Sequence, residues 1–282
     1  MPTVAGTTQL AILRDDFAEA RRLATSQLKA PQVNARSLGY ANLANTELLL
    51  GRTAAAIKHL QTAVEDQGAG GSSESALHRT VIAEILRARG ETAAAIAEAS
   101  RAIADARGRL SAMEGLQQGA MAGSPDIAAE LRRVAATLPA GSDKASPLLT
   151  DAVVAVNRGE HTRALELLRD FEQQVAPGVV AAGALLSIRQ PRTLLEFWRG
   201  RAELGAGNAA AAATHFERVV SSGYGHLFSQ IEYVRSLYYL GQIAERKGDS
   251  AKARENYRKF VSYWKDGDID RDKVTEALKK IN

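Results

Sequence analysis

The sequence predicts an all-α solenoid of about seven helix-turn-helix units with a closing helix at the C-terminus. Three observations lead there. A glycine recurs along the chain between segments that otherwise have helical patterning. Small and bulky apolar residues stand at fixed distances from it, and period-two runs of β-branched residues are missing.

The clearest unit is "LYYLGQIAERKGDSAKARENYRKF". Glycine inside a helix costs about 0.5–1 kcal/mol relative to alanine, so Gly248 reads as a break between two helices. Ala253, Tyr257 and Phe260 follow it at five, nine and twelve residues, on one face of the second helix, and Gly241 precedes it by seven. The same template fits from the N-terminus onward. Asp15 takes the glycine's place in the first unit, with Ala20 and Ala24 behind it. Gly51 has Ala44 before it and Ala56, Leu60 and Ala63 after it; Gly90 has Ala83, then Ala95, Ala99 and Ala102. Gly123 is the poorest copy, with Leu116 at the small position and Arg132 at the bulky one, although Ala128 and Ala135 fit. Gly159 has Ala152, then Ala164, Leu168 and Phe171; Gly207 has Gly200, then Ala212, Phe216 and Val219. After the last unit, Asp270 or Asp272 can cap a closing helix whose Val274, Leu278 and Ile281 cover the end of the stack.

A helix-turn-helix unit of this length, with small residues at two fixed points and a later aromatic, resembles the tetratricopeptide repeat family over nearly the whole chain. The best copies are "LYYLGQIAERKGDSAKARENYRKF" and "FWRGRAELGAGNAAAAATHFERVV"; the family's usual proline at the repeat end is absent, with Lys265 at its place in the last copy. The resemblance implies a right-handed superhelix whose first helices line a concave groove for a peptide or protein segment. The ending also resembles the repeat regions that terminate bacterial serine/threonine kinases and related signalling proteins. This makes a regulatory or sensor region of a larger signalling protein the alternative reading, with a covalently linked upstream domain missing from this chain.

The expected organisation is units one to four over 1–137, a hinge at the breaker cluster "LPAGSDKASP" (138–147), and units five to seven with the closing helix over 148–282. "DQGAGGSSES" (66–75) reads as a mobile loop. The insertion 172–193 reads as an extra helical turn leaning on the stack, able to occupy the groove itself.

Chemistry is sought and mostly not found. No cysteine is present, which excludes disulfides, thiol catalysis and thiolate metal sites. His59, His78, His161, His215 and His226 form no HxxxH or HExxH pair, and neither a phosphate-cradling GxxxxGK[ST] loop nor a GxSxG elbow occurs. Asp266, Asp268 and Asp270 suit the first positions of a calcium loop, but Arg271 and Ala277 stand where glycine and glutamate belong, and an acidic capping loop is the better reading. The expectation is therefore no enzyme, no cofactor and no metal. The 36 Lys and Arg residues are interspersed with 32 Asp and Glu, which argues against nucleic acid as the partner. With no secretory signal, and an apolar window at 176–188 short of the roughly 18–20 residues of a membrane span, a cytoplasmic location is expected.

Transferring the family's groove-facing offsets gives the candidate binding residues Asn45, Glu84, Arg87, Arg201, Arg235, Tyr238 and Gln242. Asparagine can pair with a peptide backbone and arginine can grip a carboxylate with two hydrogen bonds. The Lys and Asn cluster of the chaperone-binding arrays is not seen. The aromatics Phe197, Trp198, Tyr238 and Tyr239 could alternatively hold a sugar or small cation, although their spacing suits packing between repeats.

Overall fold

The computed structural model describes residues 4–68, 70–140, 142–175 and 191–281. Among them are sixteen α-helices and no strand. The first ten are α1 (Val4–Leu13), α2 (Phe17–Gln27), α3 (Val33–Leu49), α4 (Thr53–Asp66), α5 (Ser73–Ala88), α6 (Thr92–Asp105), α7 (Arg109–Met121), α8 (Pro125–Ala136), α9 (Ser142–Asn157) and α10 (His161–Gln174). They are followed by α11 (Pro191–Gly205), α12 (Ala209–Ser221), the short α13 (Gly223–Phe228), α14 (Gln230–Arg246), α15 (Ser250–Trp264) and α16 (Arg271–Ile281). The chain forms two compact units, Met1–Ala128 with Asp266–Ile269, and Ala129–Lys265 with Asp270–Asn282.

All seven anchors end a first helix in the same way. Asp15, Gly51, Gly90, Gly123, Gly159, Gly207 and Gly248 all have positive φ, from 57° at Asp15 to 97° at Gly123. At each one, the anchor N–H donates to the carbonyl three residues back and the next N–H to the carbonyl five back, as in Gly248 N–H to Glu245 (2.9 Å) and Asp249 N–H to Ala244 (3.0 Å). These paired bonds satisfy carbonyls that the helix end would leave open, and they require a left-handed residue. Glycine adopts it freely; aspartate is among the few other residues that tolerate it, which explains why Asp15 can replace it.

Packing within each unit follows the template. First helices pack on their own second helices (α3 on α4, α5 on α6, α9 on α10, α11 on α12, α14 on α15), and each second helix on the next first helix (α2 on α3, α4 on α5, α6 on α7, α10 on α11, α12 on α14). A single hairpin leaves an apolar face open, and its neighbour covers it. Ala20, Ala56, Ala95, Ala164 and Ala212, five after their anchors, are fully buried. Gly200 and Gly241 face the rings nine after their anchors: a methyl group on either would stand 2.8 Å from Phe216 Cε1 or 2.6 Å from Tyr257 Cε1. Glycine thus stands opposite an aromatic, and alanine stands at the same position where the residue nine after the anchor is Leu60, Ala99 or Leu168. A close-packed interior holds a fixed volume, so a larger side chain on one helix calls for a smaller one on the other. In the fourth unit the roles reverse: Leu116 is buried, and Arg132 turns outward to Asp151 (2.7 Å).

Other elements differ from the sequence expectation. The Gly/Ser-rich stretch 66–75 begins at the last residue of α4 and ends inside α5, which Ser72 caps, its hydroxyl accepting from the Ser75 N–H (2.9 Å). The breaker cluster 138–147 contributes a connection and then the first turn of α9, with Pro147 inside the helix. Helix α13 had no signal in the template. The expectation for the insertion falls largely on 176–190, outside the described residues. In α16 it is Val274 and Ala277 that are buried, while Leu278 is exposed; the buried stripe runs i, i+3 and the next residue turns out of it.

Within the first unit, α4 has no side-chain cap at Arg52. The Asp268 carboxylate supplies it, accepting from the N–H groups of Thr53 and Ala54 (both 2.9 Å) and from the Thr53 hydroxyl. Burial alone would raise this carboxyl, but the donors outweigh burial and hold it below the ordinary range.

Candidate functional site

In the first unit the candidate residues lie on α3 and α5. Asn45 on α3 is half-buried. Arg87, also half-buried, reaches from α5 to α7, its Nε donating to Gln118 Oε1 (3.2 Å). Glu84, one turn earlier on α5, is 1% exposed and lies in the interior, so it presents no surface to a ligand.

In the second unit four candidates stand on α11 and α14. Arg235 makes a forked pair with Asp270, Nε to Oδ2 at 2.8 Å and Nη2 to Oδ1 at 3.0 Å. Burial opposes charge on both partners, but their attraction wins: Arg235 is raised and Asp270 is held below the ordinary carboxylate range. Tyr238, 3% exposed, donates its hydroxyl proton to Glu276 of α16 (2.6 Å) and accepts from Gln242 Nε2 (2.9 Å). Burial first, and then the bonded carboxylate, push this phenol up. Lys280 of α16 bonds to Glu245 of α14, which also accepts from the Tyr257 hydroxyl (3.1 Å). Arg235 and Tyr238 are thus engaged by the chain's own C-terminal segment, at Asp270 and Glu276, and Gln242 reaches Tyr238.

Arg201 is different. Its guanidinium carbon lies 5.8 Å from the ring centre of Trp198 and 5.1 Å from that of Tyr239. Tyr239 is itself stacked on Phe216 (5.1 Å between centres, 20° between planes), and Phe197 meets Trp198 edge-on at 5.3 Å. Of the aromatics raised above as a possible sugar site, Trp198 and Tyr239 thus lie against an arginine, and Phe197 packs beside them. Trp198 three residues before Arg201 on one helix is a visible signal for that stacking. Nothing local marked Asp270 or Glu276 as partners of α14, because those contacts span 35 and 38 residues.

Among the described residues no group of His, Asp or Glu is arranged to hold a metal ion, and no helix is long and apolar enough to cross a membrane. Asp268 and Asp270, two of the three carboxylates that suited a calcium loop, are turned to a helix cap and to Arg235.

Helical hairpins packed on one another and joined by the same left-handed turn define an all-helical repeat protein. Comparison with family models matches the tetratricopeptide repeat over residues 41–109 and 197–268, half of the chain, and the chain belongs to that family. Tetratricopeptide repeats are non-catalytic scaffolds through which proteins associate. Among solved structures, the chain is similar to a tetratricopeptide repeat protein from Parabacteroides merdae ATCC 43184 (15% identity, 99% of this chain and 97% of that one, TM-score 0.47). It is also similar to the C-terminal part of a TPR repeat-containing protein from Cytophaga hutchinsonii (13% identity, 98% of each chain, TM-score 0.40). No curated protein matches the chain.

Proposed function

We propose that the chain is a protein-interaction scaffold that holds a peptide or protein segment on the faces of its first helices and performs no chemistry itself. The observation that carries this is the last repeat. There Arg235 forks onto Asp270, immediately before α16, and Tyr238, which accepts from Gln242, donates to Glu276 within α16. Asn45, Arg87 and Arg201 stand on the corresponding faces of earlier repeats and are half-buried, so they can meet a ligand while their stems stay packed.

The test is an affinity pull-down with the full chain and an Arg87→Glu/Arg201→Glu double variant as baits, with captured proteins identified by mass spectrometry. A protein recovered by the wild type and lost with the folded double variant supports the reading. Identical recoveries on both baits overturn it.

A further inference from the structure

We infer that Arg201 is a carboxylate-docking residue, and that the segment bound at this face is acidic, placing one Asp or Glu side chain on the Arg201 guanidinium. This rests on the interaction reading above and gives its ligand a chemistry.

The first argument is what Arg201 lacks. Its contacts with the Trp198 and Tyr239 rings use none of its five N–H donors. The carboxylates on its own helix are engaged elsewhere: Glu196 bonds to His215 (2.6 Å) and Arg218 (3.3 Å), and Glu203 accepts from the Asn208 side chain (2.7 Å). Among the described residues, no carboxylate reaches Arg201.

The second argument is the contrast with Arg235. Arg201 lies over the Tyr239 ring, and Arg235 stands four residues before Tyr239 on α14. Arg235 has its forked carboxylate, Asp270, delivered by a segment of the chain, whereas Arg201 has aromatic contacts and no such acceptor among the described residues. A guanidinium already held beside two rings suits a planar carboxylate, because less freedom is lost on binding. A single held cation also suits one carboxylate better than a polyphosphate backbone, which calls for several cations along a track.

The experiment uses the full chain to select from a displayed random peptide library with amidated C-termini, so that only side-chain carboxylates are offered. Selected peptides are then titrated against wild type, Arg201→Lys and Arg201→Gln, each checked for an unchanged circular dichroism spectrum. The expected result is enrichment of Asp and Glu. Changing the critical Glu to Gln in the peptide should weaken binding to the wild type about tenfold or more, and have little effect on Arg201→Gln. Arg201→Lys should also bind more weakly, since it keeps the charge and loses the fork. Peptides that show no acidic preference, or that lose nothing on the Glu to Gln change, overturn this inference while leaving the interaction reading intact. If the wild type selects no peptide, both fail. The peptide change is read on unaltered protein, so the test holds even where a variant misfolds.

Discussion

Two glycines seven residues apart, Gly241 and Gly248, should respond to the same substitution for different reasons. At Gly248 an added methyl meets nothing within 4 Å, but φ is +78°, so Gly248→Ala costs about 1–2 kcal/mol of left-handed backbone strain. Gly241 lies mid-helix, where alanine is favoured by about 0.8–1 kcal/mol. Its methyl, however, would stand 2.6 Å from Tyr257 Cε1 and 2.7 Å from Cδ1, against the ~3.5–4.0 Å of a normal carbon contact. The ring cannot easily retreat: Tyr257 is fully buried and its hydroxyl is bonded to Glu245. Overpacking of this kind costs about 1–3 kcal/mol, leaving a net loss of roughly 0–2 kcal/mol. A double-mutant cycle with Tyr257→Leu separates the two causes. The second repeat already pairs alanine with leucine at these positions, as Ala44 and Leu60. In the Tyr257→Leu background Gly241→Ala should become neutral or stabilising, a coupling of about 1–3 kcal/mol, while Gly248→Ala keeps its full cost within ~0.5 kcal/mol. Urea unfolding followed by far-ultraviolet circular dichroism measures all four corners. If Gly241→Ala costs the same whether or not Tyr257 has been replaced, the matching of small and bulky residues across the hairpin is not what sets residue 241.

His78 is buried against the Ser37 hydroxyl (2.7 Å), and burial holds its imidazole down to about 4, from 6.5 when unfolded. The folded state therefore favours the neutral ring, so stability should fall as pH drops through 6.5 toward 4, by as much as ~3 kcal/mol. His78→Gln should flatten that part of the urea-midpoint profile. Breaking the Arg235–Asp270 pair by Asp270→Asn leaves a charge largely buried and should cost about 3 kcal/mol, read from the chemical unfolding of the second unit. Asp268→Ala removes the carboxylate that caps α4 and should cost roughly 1–2 kcal/mol. Asp268 titrates below the ordinary range, so its contribution is present above pH 3.8 and lost only as pH falls through the lowered value; wild type and variant should converge in acid.

Much of the fold was legible because its determinants are local and repeated. The seven left-handed turns and the buried alanines could be read from one template, even where Asp15 replaced glycine, since the turn needs a backbone conformation and not a particular side chain. Helix α13 could not, because a six-residue helix is too short for a periodicity to show. The candidate face was only partly legible. Offsets locate a residue on a helix but say nothing of what covers it. Hence Glu84 and Tyr238, assigned by the same rule as Arg87, lie inside. Asp270 or Asp272 was expected to cap the closing helix; the Asp270 side chain goes to Arg235, a partner 35 residues earlier that no local pattern points to.

The central claim is that first-helix faces hold the ligand, and hydrogen exchange of the full chain with a captured protein or selected peptide tests it most directly. The account predicts slower exchange on binding in α3, α5 and α11, the helices of Asn45, Arg87 and Arg201. Protection confined to the second helices α4, α6 and α12 would contradict it.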